Sequence, residues 1–243
     1  MNWQSLAEFD IPFFCNGKEE KCVFAFTRTA DFEISGEDFR NLMSADELKR
    51  FDSVGSEKVK KQYCLGRILT KKALSSFIGE FAFDAVSVLN EKNGCPFIES
   101  SEYAVSITHT NDVVAALVFK NIFSFGTDIE NPRKNAREAM ESILVDGEPV
   151  GRDLENLTVA WTLKESLSKA LKSGFHLPFD EFEISDLSGY NDFFTCLYKK
   201  HPEFQGIAMF HNGNSAAFTY PTDVHPESIL LKMALRSAIM IER

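Results

Sequence analysis

A helical pattern that ends at a glycine occurs twice in this chain, and this repetition constrains the fold more than any other feature. Residues 56–78 and 157–173 both carry apolar side chains at helical spacing, and a glycine follows each run. A segment that begins Phe-Asp comes next in both copies, at Phe83 and at Phe179. Strand patterns then follow at residues 85–89, 103–107, 113–119 and 122–128, and again at residues 181–184, 193–198, 204–210 and 215–219. The chain therefore contains a weak internal repeat, in which each copy combines a long helix with several short strands.

The composition excludes several classes of protein. The chain of 243 residues is 44% hydrophobic, which is ordinary for a globular protein of one large or two small domains. No apolar run reaches about 18 residues, so we expect no membrane span, and the first ten residues do not resemble a secretory signal. The net charge of −10 argues against nucleic-acid binding. The five cysteines include no Cys-x-x-Cys pair, which indicates neither a disulfide framework nor a zinc site and favours a cytoplasmic protein.

A basic segment interrupts this acidic chain at the first long helix. Six basic residues fall between Glu57 and Lys72. They are Lys58, Lys60, Lys61, Arg67, Lys71 and Lys72. Two interpretations of this segment are equally good. It is either a solvated helix face or a surface that binds phosphates or an acidic partner.

Two carboxylates stand at the end of a predicted strand. Asp128 and Glu130 are separated by Ile129, and alternate residues of a strand point to the same side. A strand that simply meets solvent would also explain two acids. However, two like charges on one face repel each other, so a bound cation explains the pair better.

The second helix adds charged groups that could join these two acids. On a helical wheel the small and apolar residues fall on one arc, and a tryptophan falls on the other arc with the polar residues. The first arc contains Ala160, Leu163, Leu167, Ala170 and Leu171, and the second contains Trp161, Glu165, Ser168, Lys169 and Lys172. An ordinary surface ion pair between Glu165 and Lys169 is the structural alternative. Three carboxylates and an ammonium at one site would suit a hard divalent cation that holds a phosphate.

These two segments together resemble the signature of the 4'-phosphopantetheinyl transferases. The strand ends in Gly126-x-Asp128-x-Glu130, and the helix contains Trp-x-x-Lys-Glu-x-x-x-Lys from Trp161 to Lys169. The length and two-part layout are similar to the Sfp-type branch. The resemblance covers roughly residues 40–190. It implies an α/β (α+β) fold of two halves related by a pseudo-twofold axis, each a long helix packed on a small, mostly antiparallel sheet, with the active site in the cleft between them.

The resemblance also implies a reaction and the residues that perform it. A Mg²⁺-dependent enzyme of this family transfers the 4'-phosphopantetheine arm of coenzyme A to a serine of an apo acyl, polyketide or peptidyl carrier protein, and adenosine 3',5'-bisphosphate leaves. The expected metal ligands are Asp128, Glu130 and Glu165. Glu165 is the expected base for the serine proton, Lys169 is expected at the leaving phosphate, and Asp128 is the third expected catalytic residue. Glu148 matches, loosely, an acid that some members place near the metal.

Further matches to the family imply a coenzyme-binding set. Residues 42–51 resemble an N-terminal element that ends in Arg-Phe, residues 63–67 resemble a helix element that ends in Gly-Arg, and residues 106–110 resemble a Ser-x-Ser-His-Ser segment. The expected coenzyme contacts are Arg50, Tyr63, Arg67, Lys92, Gly94, Pro96, Thr108, His109, Lys164 and Lys169. The family usually has Gly-Lys-Pro where this chain has Gly94-Cys95-Pro96, so one cation near the phosphates is missing, and Lys92 is a possible substitute.

We therefore expect an N-terminal half at residues 1–130 and a C-terminal half at residues 131–243, in a monomer. A non-catalytic relative that binds coenzyme A or a carrier protein remains an alternative. An unrelated Mg²⁺-dependent phosphohydrolase is a third possibility, although no Gly-x-x-x-x-Gly-Lys-Ser/Thr loop is present. The sequence leaves the carrier protein and its pathway open.

Overall fold

The structure is a computed structural model that describes residues 5–32, 37–132 and 136–240. Its contacts divide the chain into two compact units. The first unit contains the chain up to Ile11 and Lys21–Ile122, and the second contains Pro12–Glu20 and the chain from Phe123 onward. The expected boundary after residue 130 therefore differs from the boundary of these units, because the strand that follows Ile122 pairs within the second unit. Part of the expected linker, residues 133–135, lies outside the described residues.

Six α-helices and twelve β-strands form the described part of the chain. The helices are α1 (Glu37–Arg40), α2 (Ala45–Ser53), α3 (Glu57–Ile78), α4 (Arg137–Ser142), α5 (Leu154–Ala170) and α6 (Ser228–Ile239). The strands are β1 (Ala7–Cys15), β2 (Lys18–Arg28), β3 (Val88–Asn90), β4 (Pro96–Ile98), β5 (Tyr103–His109), β6 (Val113–Lys120), β7 (Gly126–Glu130), β8 (Ile184–Tyr190), β9 (Phe193–Tyr198), β10 (Phe204–His211), β11 (Asn214–Pro221) and β12 (Val224–Pro226). None of the described helices is long and apolar enough to cross a membrane.

In the first unit, α3 packs on a sheet in which the strand order is β1-β2-β6-β5. The hairpin of β1 and β2 turns within the segment Pro12–Glu20 of the second unit, at Asn16 and Gly17, whose φ angles are 50° and 74°. An Asn-Gly pair accepts two such left-handed residues readily, and this turn type matches the twist of the strands it joins. The second small sheet of this unit pairs β3 with β4. The core between α3 and the sheet includes Leu65, Ile68 and Val114.

In the second unit, α5 packs on an antiparallel sheet in the order β7-β11-β10-β9-β8. The helix contacts β7, β11 and β10, and α6 also contacts β10 and β11. Asp153 caps the start of α5, since its carboxylate accepts a hydrogen bond from the backbone N–H of Asn156 at 3.0 Å. The helix therefore begins three residues earlier than predicted. The predicted strand at residues 181–184 is instead a 3-10 turn, Phe179–Phe182, and β8 begins at Ile184.

A buried Lys–Glu pair recurs in both units. In the first, the Lys71 ammonium lies 2.5 Å from the Glu47 carboxylate, whose other oxygen accepts a hydrogen bond from the Val88 N–H. In the second, the Lys164 ammonium lies 2.6 Å from Glu148, and the same Glu148 oxygen accepts the Ile184 N–H. All four charged side chains are essentially inaccessible to solvent.

The repeat seen in the sequence explains these matching contacts. Val88 and Ile184 each stand five residues after the phenylalanine that opens the repeated segment. In both units a glutamate therefore ties the long helix to the strand that follows it. Since an uncompensated buried charge is costly, removal of either partner of such a pair is expected to destabilise the unit strongly.

Candidate active site

The candidate active site in the second unit is built where β7 lies directly against α5. The two backbones approach so closely that a Cβ atom at Gly126 would lie 1.9 Å from the carbonyl oxygen of Ser166 and 2.6 Å from the backbone nitrogen of Ala170. Only glycine fits such a contact. Because Asp128 lies two residues beyond Gly126 on the same face of the strand, this contact fixes the distance from Asp128 to the side chains of α5.

Direct contacts join the acids of β7 to α5. The Lys169 ammonium lies 2.6 Å from an oxygen of Asp128, which is 4% exposed, whereas Lys169 is 25% exposed. The indole N–H of Trp161 donates a hydrogen bond of 3.2 Å to Glu130. Asp128 lies opposite Ala217 and Glu130 opposite Ser215 of β11. Since Asp128 contacts Lys169 and Glu130 contacts Trp161, both acids face α5.

The charges of this cluster shift one another's ionisation. Burial, together with the carboxylates of Asp128 and Glu165, raises the pKa of Glu130 to about 7, although Lys169 and Trp161 oppose the rise. Burial likewise raises the pKa of Glu165 to about 7, with Asp128 raising it and Lys169 lowering it. Three carboxylates therefore lie close enough to oppose each other's negative charge, as expected for a site that receives a cation.

The donor set of this cluster suits Mg²⁺ chemically. Carboxylate oxygens are the ligands that Mg²⁺ prefers, and the ion usually keeps several waters. Within the described ranges, no three Asp, Glu, His or Cys side chains are already gathered around one point as metal ligands. The positive charge that contacts Asp128 in this structure is the ammonium of Lys169. Asp128, Glu130 and Glu165 therefore fit the ion by the chemistry of their carboxylate oxygens.

The structure places Lys164 apart from this cluster, contrary to its expected role as a coenzyme contact. Its ammonium is fully buried and paired with Glu148. The oxygens of Glu148 also accept hydrogen bonds from the N–H groups of Val145 and Ile184. Glu148 is thus a structural partner of Lys164. Lys164 was expected to contact the coenzyme, and Glu148 was expected near the metal, but the two side chains pair with each other instead.

A cavity of about 710 Å³ lies in the first unit, and it collects most of the expected coenzyme-binding residues. Its walls are formed by Arg50, Val59, Gln62, Tyr63, Arg67, Leu89, Asn90, Glu91, Lys92, Gly94, Ile107 and His109. The lining contains three basic side chains, those of Arg50, Arg67 and Lys92, and one acidic side chain, that of Glu91. This excess of positive charge would attract phosphate groups. Its size lies in the range typical of small-molecule sites. Gln62, Leu89, Asn90 and Glu91 are lining residues that the sequence reasoning did not single out.

Four expected coenzyme contacts do not line this cavity. Lys164 and Lys169 lie on α5 in the second unit, Pro96 lies in β4, and Thr108 is a buried residue of β5. Two members of the basic segment are also buried, since Lys71 is paired with Glu47 and Arg67 is 5% exposed. The segment is therefore neither a simple solvated face nor a continuous basic surface.

Two family models match separate parts of this chain. The family model of the 4'-phosphopantetheinyl transferase superfamily matches residues 124–219, and that of the 4'-phosphopantetheinyl transferase N-terminal domain matches residues 53–119. A holo-[acyl-carrier-protein] synthase of Staphylococcus carnosus (strain TM300) is 32% identical over 84 residues, which cover 32% of this chain and 72% of that protein. The crystal structure of a holo-(acyl-carrier-protein) synthase from Bacillus anthracis str. Ames in complex with CoA (3',5'-ADP) has 19% identity and a TM-score of 0.37, and the match covers 47% of this chain and 97% of that one.

Proposed function

This chain belongs to the 4'-phosphopantetheinyl transferase superfamily, and we propose that it transfers the 4'-phosphopantetheine arm of coenzyme A to a serine of an apo carrier protein. The proposed reaction depends on Mg²⁺ and releases adenosine 3',5'-bisphosphate. We place the chain in the Sfp-type branch because of its two-part layout. The observation that carries the proposal is the cluster of Asp128, Glu130, Glu165 and Lys169 at the contact between β7 and α5.

The two units contribute different parts of the proposed machinery. The cavity of the first unit binds the coenzyme, with Arg50, Lys92 and His109 on its wall. The second unit supplies the groups that act on the reacting phosphorus. Lys164 has no role toward the coenzyme in this proposal, because it is buried against Glu148.

Each group at the β7–α5 contact has a proposed role. The serine oxygen attacks the phosphorus that bears the pantetheine arm, and the bond from that phosphorus to the adenosine bisphosphate breaks. Glu165 accepts the serine proton, directly or through a water. Lys169 donates a hydrogen bond to the leaving phosphate. Asp128, Glu130 and Glu165 would hold Mg²⁺, which offsets the charge on the pyrophosphate when bound.

Trp161 helps to position Glu130 in this arrangement, because its indole N–H donates a hydrogen bond to one carboxylate oxygen of Glu130. Positioning of this kind and electrostatic stabilisation account for most of the rate in reactions at phosphorus, where little covalent catalysis is needed.

Mass spectrometry of apo carrier proteins tests the proposal. The protein is incubated with coenzyme A, Mg²⁺ and a panel of apo carriers from fatty-acid, polyketide and nonribosomal peptide systems. We expect at least one carrier to gain the mass of a single phosphopantetheine group, and we expect no gain when chelator replaces Mg²⁺ or when the carrier serine is changed to alanine. Full modification in excess chelator would refute the metal requirement, and no modification of any carrier would refute the transfer.

A further inference from the structure

A chain of contacts links α3 to the loop that forms part of the cavity wall. It begins at Arg67, which is 5% exposed. The Nε–H of Arg67 donates a hydrogen bond of 3.2 Å to the carbonyl oxygen of Val88, and its guanidinium lies 3.8 Å from the centre of the Tyr63 ring. A second guanidinium nitrogen donates to the side-chain oxygen of Asn90. Arg67 is therefore fixed by its own partners and presents a donor to Asn90.

Asn90 also bonds to the loop of residues 91–95. Its amide nitrogen donates a hydrogen bond of 2.5 Å to the carbonyl oxygen of Gly94. The partners determine which way the amide faces, because a guanidinium can only donate and a backbone carbonyl can only accept. The side-chain oxygen of Asn90 therefore accepts from Arg67, and its side-chain nitrogen donates to Gly94.

The loop that Asn90 holds is closed on itself. The N–H of Glu91 donates to the carbonyl oxygen of Cys95 at 2.8 Å, and the N–H of Gly94 donates to the carbonyl oxygen of Glu91 at 2.9 Å. The side chain of Asn93 accepts the N–H of Cys95 at 3.0 Å. These bonds hold residues 91–95 together, and the hydrogen bond from Asn90 to Gly94 joins them to the end of β3.

We propose that Asn90 is a positioning residue of the coenzyme cavity, which holds loop residues 91–95 so that Lys92 stays at the cavity wall. The inference rests on the proposed function, because coenzyme A is taken as the ligand. Asn90 acts through Lys92, and Arg67 acts as the anchor of Asn90. The loss of the usual lysine at Cys95 makes the position of Lys92 more important, since fewer cations remain for the phosphates.

Coenzyme A titration by calorimetry tests this role with two variants. Asn90→Ala removes both bonds, whereas Asn90→Asp keeps an acceptor for Arg67 and places an oxygen against the Gly94 carbonyl. We expect both to raise the Kd by about 5- to 30-fold, with kcat at saturating coenzyme unchanged. Asn121→Ala is the matched control, because the amide of Asn121 also bonds a backbone carbonyl, that of Ser101, outside the cavity. Wild-type affinity in Asn90→Asp would overturn the proposal, even if Asn90→Ala does not fold.

A double-mutant cycle with Lys92→Ala separates positioning from general destabilisation. If Asn90 acts by placing Lys92, adding Asn90→Ala to Lys92→Ala should weaken binding by less than about 2-fold. Fully additive losses would overturn the proposal. A wild-type protein that does not bind coenzyme A would instead contradict the proposed function, so the two failures are distinguishable.

Discussion

The Lys169 ammonium lies 2.6 Å from the Asp128 carboxylate, and this ion pair joins α5 to β7 at the candidate active site. The carboxylate is almost completely buried, whereas the lysine is partly exposed. Lys169 therefore contacts the buried carboxylate of Asp128, and its exposed portion remains accessible to a phosphate group.

We expect Lys169→Ala to lower kcat by about 100-fold while the KM for coenzyme A changes by less than about 3-fold, because a contact to the leaving phosphate strengthens in the transition state. Steady-state kinetics of carrier modification measure both constants. Lys199→Ala is the control, since Lys199 is an exposed lysine that also pairs with a carboxylate, that of Glu183, in the same unit. A rise in KM alone would make Lys169 a binding residue and would contradict its role at the leaving group.

The metal-free protein should lose stability as the pH rises through neutrality. Glu130 and Glu165 have pKa values raised from 4.5 to about 7 in the folded protein. Between those values the folded state binds more protons than the unfolded state, so the stability that these acids contribute is complete below about pH 4.5 and is lost as the pH approaches and passes 7. Glu165→Gln should reduce this loss, by roughly 1 to 2 kcal/mol between about pH 5 and about pH 8. Denaturant unfolding in chelator measures it, and identical pH profiles for the two proteins would disprove it.

Gly126→Ala should destabilise the second unit by about 2 to 4 kcal/mol, because the added methyl group must push β7 away from the backbone of α5. Gly55→Ala is the matched control, since a Cβ atom there meets no other atom within 4 Å. Denaturant unfolding gives the free energies, and the fraction of active enzyme shows whether the site is displaced as well. Equal stability of the two variants would mean that the backbones separate without cost.

Lys164→Met should lower the free energy of unfolding by about 3 kcal/mol, since it leaves Glu148 buried without its cation. The affinity for coenzyme A, measured well below the unfolding temperature, should stay within about 2-fold of wild type. Adding Glu148→Leu should restore part of the stability, because the unpaired charge is then removed. If the folded Lys164→Met variant loses much of its affinity for coenzyme A, Lys164 takes part in binding the coenzyme and this prediction is wrong.

The sequence predicts the features of this fold that depend on local patterns. The helix expected at residues 56–78 is α3, and the polar arc with Trp161, Glu165 and Lys169 is the side of α5 that meets Asp128 and Glu130. The mixed α/β architecture with antiparallel sheets is confirmed. The hairpin at Asn16 and α6 were not predicted, although the Asn-Gly turn was a usable signal.

Burial of charged residues could not be predicted from local pattern. On a helical wheel Lys164 looks like any other lysine beside the polar arc, and only its contact with Glu148, sixteen residues earlier in the chain, explains how it is buried. Glu47 and Lys71 have the same relationship over a longer separation. The links from Arg67 through Asn90 to Gly94 also depend on contacts that the chain makes only once it has folded.

The most direct test of the proposed active site is the rate at which phosphopantetheine appears on a carrier serine, measured by mass spectrometry for the wild type and for Asp128→Asn. The substitution keeps the size of the side chain and removes the charge that faces Lys169, and circular dichroism would show that both proteins are folded. We predict that the wild type modifies the carrier in the presence of Mg²⁺ and that Asp128→Asn is slower by at least about 100-fold. Equal rates for the two folded proteins would contradict the assignment of the active site to the contact between β7 and α5.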